Sequence, residues 1–129
     1  MPGGDSAVES GRELEEQVVE VATQLHLSCR RQVKVGKRIW GAERYIDVVV
    51  TEPQSRQSLG IECKYQGGQG SAEEKIPTTI TDIDAWPIPG IVVIHGEGFS
   101  ERMRAYLYST GKVVDLEDLE TWLTLFFSL

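Results

Sequence analysis

The sequence has little cysteine and no long hydrophobic run. Cys29 and Cys63 are far apart and outside any Cys-x-x-Cys or Cys/His pattern, so neither a disulfide framework nor a zinc site is indicated. No apolar stretch approaches the roughly 20 residues that span a bilayer, and the N-terminus lacks the basic and then apolar order of a signal peptide. We therefore expect a cytoplasmic protein with reduced cysteines.

An excess of positive charge is also missing. The chain has 13 lysines and arginines against 20 aspartates and glutamates, a net charge of −7, which excludes a protein that coats nucleic acid non-specifically. Between residues 28 and 45, however, only Glu43 opposes six basic residues, namely Arg30, Arg31, Lys34, Lys37, Arg38 and Arg44. This segment predicts a local basic patch on an acidic body, with a solubilising hairpin face as the alternative.

The remaining composition is that of one folded domain. Of 129 residues, 40% are apolar and 26% are charged, and a chain of this length has no room for a second independent module. Residues 1–9 are small, polar and glycine-rich and are predicted to be disordered. Residues 10–129 are predicted to form a single domain.

Hydrophobic periodicity and turn residues predict an α/β fold with the order α-β-β-β-α-β-α-β-α. The first three strands are expected to form an antiparallel meander within a mixed central sheet flanked by helices. The predicted elements are a helix over 10–27, strands over 31–35, 44–51 and 59–65, a helix after Ser71 that Pro77 restarts or kinks, a strand over 91–95, a helix capped by Ser100, a strand over 112–114 and a last helix capped by Asp115.

Two acids are predicted to meet in the hairpin of the second and third strands. If the six-residue loop 52–57 closes symmetrically, Thr51 faces Ser58, and every further pair keeps the same sum of residue numbers. Asp47 then faces Glu62. Directly opposed residues on antiparallel strands share a face, with Cβ atoms ~5 Å apart. Two carboxylates are thus expected to be neighbours in an otherwise apolar sheet.

A lysine is expected beside this pair. Lys64 follows Glu62 by two residues and therefore projects from the same face. Like charges this close are costly unless Lys64 or a cation compensates them, and hard oxygen ligands favour Mg²⁺ or Mn²⁺. The pattern predicts a divalent metal site, with a buried structural ion-pair cluster as the alternative.

A fourth acid is expected from the first predicted helix. At roughly 100° per residue, Glu15 falls beside Ala22 at the edge of the apolar stripe. Three other acids of this helix point further towards solvent, namely Glu13, Glu16 and Glu20. Glu15 is therefore predicted to look towards the sheet, although it is equally explained as a solvated residue that compensates the helix dipole.

The order of these residues resembles that of the PD-(D/E)XK nuclease superfamily, which includes many restriction endonucleases and Holliday-junction resolvases. Asp47 is followed by fourteen residues and then by Glu62-Cys63-Lys64, after a helix that contains Gly11-Arg12-Glu13-Leu14-Glu15. The resemblance extends from about Gly11 to His95. It departs from the family pattern at Ile46, where the family has a proline.

The resemblance implies that residues 10–129 form a single PD-(D/E)XK-type nuclease domain with a restriction-endonuclease-like fold, and that the basic residues between 28 and 45 are candidate contacts for DNA. It also assigns a role to each residue of the site. Asp47 and Glu62 would bind Mg²⁺ or Mn²⁺ with the backbone carbonyl of Cys63, and Lys64 would orient or help to deprotonate the attacking water. Glu15 would bind a second metal or support the first. Gln66 is in phase with Glu62 and Lys64, so it is a further candidate for contact with the water or a phosphate.

The implied function is metal-dependent endonucleolytic hydrolysis of DNA, by a homodimer whose two sites address two strands. The acidic charge favours a restriction- or homing-type enzyme, because Holliday-junction resolvases of this size tend to be basic; a resolvase-like or DNA-repair nuclease is the alternative. Lys75 is a candidate phosphate contact or a solvated surface residue. Two alternatives of other classes are a non-catalytic DNA-binding or assembly subunit and a structural protein with a chance motif.

Overall fold

The computed structural model describes residues 8–37, 41–68 and 72–129. The predicted disorder of residues 1–7, and the predictions for Arg38 and Ser71, lie outside these ranges. The elements in chain order are α1 (Gly11–Gln24), β1 (Ser28–Lys37), β2 (Glu43–Thr51), β3 (Ser58–Tyr65), α2 (Ala72–Ile83), β4 (Gly90–His95), α3 (Glu101–Ser109), β5 (Val113–Asp115) and, after a 3₁₀ turn over Leu116–Asp118, α4 (Leu119–Phe126).

The five strands form one mixed sheet in the order β1-β2-β3-β4-β5. β1, β2 and β3 are successively antiparallel, whereas β4 runs parallel to β3 and β5 runs parallel to β4. The predicted meander within a mixed α/β sheet is therefore confirmed. None of the helices in the described ranges has the length and apolar content that would be needed to cross a bilayer.

Helices cover both faces of the sheet and enclose two cores. On one face, α1 and α4 pack on β2, β3 and β4 through a first core, which includes Leu14, Val18, Leu119, Leu123, Val48, Val50, Ile61, Cys63 and Val93. On the other face, α2 and α3 close a second core, which includes Ile76, Ile83, Leu107, Ile46, Val49, Val92 and Ile94. The near-continuous apolar sequence of β4 follows from burial on both faces.

The helix ends follow local signals. The Ser10 hydroxyl accepts a hydrogen bond from the Glu13 N–H and begins α1, and Ser100 does the same for α3 through the Met103 N–H, as predicted. The Asp115 side chain accepts from the Glu117 N–H and begins the 3₁₀ turn that leads into α4. Capping side chains therefore set where these helices begin.

Two predicted boundaries were wrong. The first helix ends at Gln24 instead of Leu27, because the chain turns at His26, which has a left-handed φ of 63°. Pro77 does not restart the second helix, because α2 includes it within one element, whereas the predicted kink there stays a prediction. Pro77 is the sixth residue of α2 and lies beyond the four free N–H groups of a helix start, so α2 lacks one internal hydrogen bond at this point.

β2 changes the side of the sheet to which its residues point. Val48 belongs to the first core, whereas Ile46, only two residues away, belongs to the second. A regular strand would place both on one face. The alternation of faces is therefore interrupted at Asp47, which lies between them.

β1 changes face at the same level of the sheet. Cys29 packs against the first core and Val33 against the second, although both should share a face. Between them, Gln32 has a left-handed backbone with φ 51°. The flanking pairs Arg31–Val48 and Val33–Ile46 bring Gln32 level with Asp47. The two interruptions thus form one irregular layer across β1 and β2.

Trp86 packs on two glycines at the start of the parallel strands. A Cβ atom on Gly60 would lie 2.6 Å from Cζ3 of Trp86, and one on Gly90 would lie 2.5 Å from the same ring. The indole therefore lies directly on the backbones of β3 and β4, where only glycine leaves it room.

We expect Gly60→Ala to destabilise the fold by about 1–3 kcal/mol, because the added methyl overlaps a buried indole. Urea unfolding followed by tryptophan fluorescence measures this change. Gly11→Ala is the matched control, since a Cβ there has no heavy atom within 4 Å, and it should change stability by no more than about 0.5 kcal/mol. Equal stabilities of the two variants would contradict the proposed role of Trp86.

Candidate active site

Asp47 and Glu62 meet where β2 and β3 separate. The ladder between these strands runs from Thr51–Ser58 to Val48–Ile61, so the predicted register is confirmed. Beyond it, the Asp47 N–H donates to Oε1 of Glu62 at 3.1 Å. Cys63, the next residue of β3, completes the link through its N–H, which donates to the Asp47 carboxylate. The two acids are therefore linked by a hydrogen bond from a backbone N–H to a side chain, and not by backbone pairing in the ladder.

The Asp47 carboxylate bonds back to β3. Its Oδ2 accepts a hydrogen bond of 2.9 Å from the N–H of Cys63. Each of the two strands thus supplies one peptide N–H and one carboxylate to the other. Cys63 points into the first core, so Glu62 and Lys64 leave β3 on the opposite side. Asp47 lies where the alternation of faces in β2 is interrupted, so its common face with Glu62 stays a prediction.

Glu15 approaches Asp47 from the side of the first core, and its predicted orientation towards the sheet is observed. Glu15 is buried and its Oε1 accepts a hydrogen bond of 2.9 Å from Nε of Arg31. Nε2 of Gln32 lies 3.4 Å from Oε1 and 3.3 Å from Oε2 of Glu15, and 3.3 Å from Oδ1 of Asp47. One amide group therefore joins two carboxylates.

Burial and neighbouring charge determine the electrostatics of the cluster. Desolvation raises the pKa of Asp47, and the negative charge of Glu15 raises it further, whereas the Cys63 N–H, the Gln32 amide and the Lys64 ammonium oppose the rise. Burial raises the pKa of the Cys63 thiol well above its ordinary value, and the nearby carboxylates add to this effect. The thiol is therefore protonated at neutral pH and packs as a small apolar group in the first core.

Lys64 and Gln66 follow Glu62 along the same strand. Lys64 is half-buried, and its charge acts on Asp47. Gln66 is buried, and its side-chain Nε2 donates to the backbone carbonyl of Gly98 at 2.9 Å. In return, the backbone carbonyl of Gln66 accepts from the Gly98 N–H at 2.7 Å. Gln66 therefore fixes the loop after β4 against the end of β3, and its predicted contact with water or phosphate stays a prediction.

That loop lies very close to Gln66. A Cβ atom on Gly96, where φ is 112°, would collide with the Gln66 carbonyl oxygen, and one on Gly98 would collide with the Gly68 carbonyl and lie 2.7 Å from Cγ of Gln66. Both positions therefore require glycine for space, and Gly96 also for its backbone conformation.

The predicted basic patch divides into paired and unpaired residues. Arg31 bonds to Glu15, Lys34 forms an ion pair with Glu43, and Nε of Arg44 lies 3.0 Å from Oδ1 of Asp82. The Arg44 side chain is only 19% exposed, so it fastens α2 to β2. Among the described residues of this segment, Arg30 and Lys37 are exposed and have no ion pair, and the same holds for Lys75 on α2.

The acids of this cluster fit a hard divalent cation by chemistry and only partly by arrangement. Carboxylate oxygens of Glu15 and Asp47 converge on one point, which Nε2 of Gln32 occupies. Within 8–37, 41–68 and 72–129, however, no three His, Cys, Asp or Glu side chains are grouped as a ready metal site. Glu62 has its Oε1 turned to the Asp47 N–H. An ion placed between Glu15 and Asp47 would therefore require the Gln32 amide to leave that position.

Gln32 is the site residue that the sequence did not reveal. Its neighbour Arg31 was selected for charge, but nothing in the residue types distinguishes Gln32 from an exposed polar strand residue. In the structure, the pairing of β1 with β2 places Gln32 opposite Asp47. Register shifts between Lys34 and Gly36, however, so counting from the turn would have failed by one residue.

We expect Asp47→Asn to stabilise the metal-free protein at neutral pH. A carboxyl group whose folded pKa is raised binds a proton more readily when folded, so stability falls as pH rises from the ordinary aspartate pKa through the raised one. The gain over wild type should vanish below the ordinary aspartate pKa. Urea unfolding in a chelating buffer from acidic to neutral pH measures it.

Asp118→Asn is the matched control for this experiment. Asp118 is exposed at the beginning of α4 and makes no capping hydrogen bond, so its neutralisation should leave the pH profile of stability close to that of wild type. A pH-independent difference between Asp47→Asn and wild type would contradict the buried-charge explanation.

Comparison with known proteins gives a family and three partial structural matches. A protein of unknown function, AF1548, has 18% identity over 78% of this chain and 55% of its own, with a TM-score of 0.54. The protein VC1899 from Vibrio cholerae has 17% identity over 92% of this chain and 34% of its own, with a TM-score of 0.58. The chain thus spans about half and one third of these two proteins.

A third structure, a repair endonuclease from Pyrococcus abyssi, has 12% identity over 86% of this chain and 47% of its own, with a TM-score of 0.48. No curated protein sequence matches the chain. The model of the PD-(D/E)XK nuclease superfamily domain matches residues 6–122. These residues contain every element from α1 to β5 and the whole cluster around Asp47. The chain belongs to the PD-(D/E)XK nuclease superfamily and has its restriction-endonuclease-like fold.

Proposed function

We propose that this chain is a metal-dependent endonuclease that hydrolyses DNA phosphodiester bonds at the cluster of Glu15, Asp47, Glu62 and Lys64. The observation that carries the proposal is the chain of hydrogen bonds that joins Glu15 through Gln32 to Asp47, and Asp47 to Glu62. Placing two buried acids, Glu15 and Glu62, beside the partly buried Asp47 is costly for folding. In a member of a nuclease superfamily, a functional role explains that cost better than a structural one.

Mg²⁺ or Mn²⁺ is the proposed cofactor, since PD-(D/E)XK nucleases typically use divalent metals. We assign Asp47, Glu62 and the backbone carbonyl of Cys63 as ligands, and Glu15 as the ligand of a second ion or the support of the first. When bound, the ion lowers the pKa of a water molecule and compensates charge on the phosphate. The raised pKa of Asp47 implies that affinity for the ion falls as the solution becomes acidic.

The other polar residues of the site are proposed to act on water and phosphate. The Lys64 ammonium orients the attacking water or assists its deprotonation, and its charge also favours the ionised form of Asp47. Gln66 lies two residues after Lys64 and in phase with it, and it is proposed to contact the water or a phosphate. The buried surroundings of Glu62 and Gln66 exclude bulk water, which strengthens each of these interactions.

DNA is the proposed substrate, and the exposed cations are its proposed contacts. Arg30 and Lys37 on β1 and Lys75 on α2 present positive charge that no ion pair among the described residues neutralises. Of the nuclease types, we favour restriction- or homing-type cleavage because the chain as a whole is acidic. A homodimer that acts in the cytoplasm, where Cys29 and Cys63 stay reduced, completes the proposal.

We expect Asp47→Ala and Lys64→Met each to lower the rate of DNA cleavage by at least about 100-fold. The two variants should differ in metal affinity, because only Asp47 is a proposed ligand. Cleavage of supercoiled, linear and branched DNA with Mg²⁺ or Mn²⁺, together with calorimetric Mn²⁺ titration of the uncleaving variants, measures both quantities.

Lys112→Ala is the control for the loss of a lysine, since Lys112 pairs with Asp84 near the start of β4, away from the site. It should cleave DNA at the wild-type rate. If the wild-type protein cleaves none of the three substrates with either ion, the proposed activity is wrong, while membership of the superfamily is unaffected.

We expect Arg30→Ala and Lys37→Ala to weaken DNA binding equally across sequences. The plot of log K against log salt concentration falls with salt, and each removed phosphate contact should reduce the magnitude of its slope by about 0.9. Fluorescence anisotropy with labelled duplexes over a salt series measures this, in the Lys64→Met background so that the DNA stays intact. Arg12→Ala is the control, because the Arg12 side chain is 84% exposed on α1 and outside the basic segment. Unchanged slopes for both β1 variants would exclude them from the interface.

A further inference from the structure

We propose that the side-chain amide of Gln32 occupies the cation position between Glu15 and Asp47 in the metal-free protein and leaves it when a divalent cation binds. Gln32 is then a positioning residue that keeps the two carboxylates together and sets the metal affinity of the site. This inference rests on the proposed function, because it assumes that the site takes a divalent ion.

The distances around the amide indicate a replaceable partner. Nε2 of Gln32 lies 3.3 Å from one oxygen of Asp47 and 3.3 and 3.4 Å from the two oxygens of Glu15. A primary amide has two N–H groups, so three oxygens share two donors, and all three distances exceed the usual 2.9–3.0 Å of N–H···O bonds. The bond of 2.9 Å from Arg31 to Glu15 is of normal length.

The backbone of Gln32 is held in an unfavourable conformation at this point. Its φ of 51° is rare for a residue with a long side chain. Such a conformation persists only where the surroundings enforce it, and it is common at functional sites. Here the pairs Arg31–Val48 and Val33–Ile46 fix the strand on both sides. The left-handed turn of one residue is what brings the Gln32 amide level with Asp47.

The chemistry of the three groups favours exchange. A neutral amide dipole compensates only part of two negative charges, whereas a divalent ion compensates both, and carboxylate oxygens are its preferred ligands. The amide nitrogen and an ion bound between these oxygens would occupy the same position, so they cannot be there together. Arg31 contacts Glu15 through one oxygen only, so it does not prevent the exchange. Loss of the Gln32 hydrogen bonds therefore opposes metal binding.

Two substitutions separate the amide from the backbone conformation. Gln32→Asn keeps an amide and tolerates the left-handed region, but its side chain is one carbon shorter and does not span both acids. Gln32→Lys places a tethered positive charge among the same oxygens. Gln57→Asn is the matched control, because Gln57 is exposed in the loop between β2 and β3.

The test is the Mn²⁺ dissociation constant by calorimetry at neutral pH, with the wild type beside the three variants. Gln32→Asn should bind Mn²⁺ up to about tenfold more tightly than wild type, the equivalent of one lost hydrogen bond to a charged group. Gln32→Lys should bind at least about 100-fold more weakly, and Gln57→Asn should bind as wild type does.

A second measurement needs no substitution. In the wild type labelled with ¹⁵N, the side-chain amide signals of Gln32, assigned by their absence from Gln32→Asn, should move towards the positions of exposed glutamines as diamagnetic Mg²⁺ is added. The Gln57 signals should not move. This readout is independent of catalysis.

The possible results distinguish the two proposals. If the wild type binds the ions but the Gln32 signals do not move, or if Gln32→Asn binds Mn²⁺ no more tightly than wild type, the role of Gln32 is wrong and the metal site stands. If neither wild type nor Gln32→Asn binds either ion, the proposed metal dependence is wrong, and the exchange at Gln32 is wrong with it.

Discussion

The two hydrogen bonds that the carboxylates of Asp47 and Glu62 accept across β2 and β3 are the interaction on which this site depends. They replace backbone carbonyls as partners of the Asp47 and Cys63 N–H groups beyond the last ladder pair. Buried peptide groups must be bonded. The acids therefore serve the strand pair and the proposed chemistry at once, and a side chain that moves to a metal ion must give up a structural bond.

The rest of the molecule offsets the free energy that this arrangement costs. The first core, between α1, α4 and the sheet, holds Glu15 in place through Leu14 and Val18 on the same helix. The second core, under α2 and α3, packs against Ile46 beside Asp47. Asp47 lies where β2 passes from one core to the other. The charged cluster is thus placed at the boundary between two well-packed regions rather than inside either one.

Much of this could be predicted from residue pattern, and the failures have physical causes. The symmetry of loop 52–57 predicted the register of β2 and β3, because a tight loop leaves little freedom to its strands. The hydrogen bonds that link Asp47 to Glu62 and Cys63 could not be predicted, since alternation assumes a regular strand and β2 is irregular at Asp47. Gln32 could not be predicted, because the register shift near Gly36 and the left-handed φ of Gln32 depend on tertiary packing.

The contact between Gln66 and the loop after β4 has a consequence for how sequences related to this one would diverge. Gly96 and Gly98 have no room for a side chain, because the backbone of Gln66 and the Gly68 carbonyl fill it. Selection would retain both glycines even in a descendant that had lost every acid of the site. Invariance at these two positions would then record the closeness of two chain segments and carry no information about whether the protein still cuts DNA.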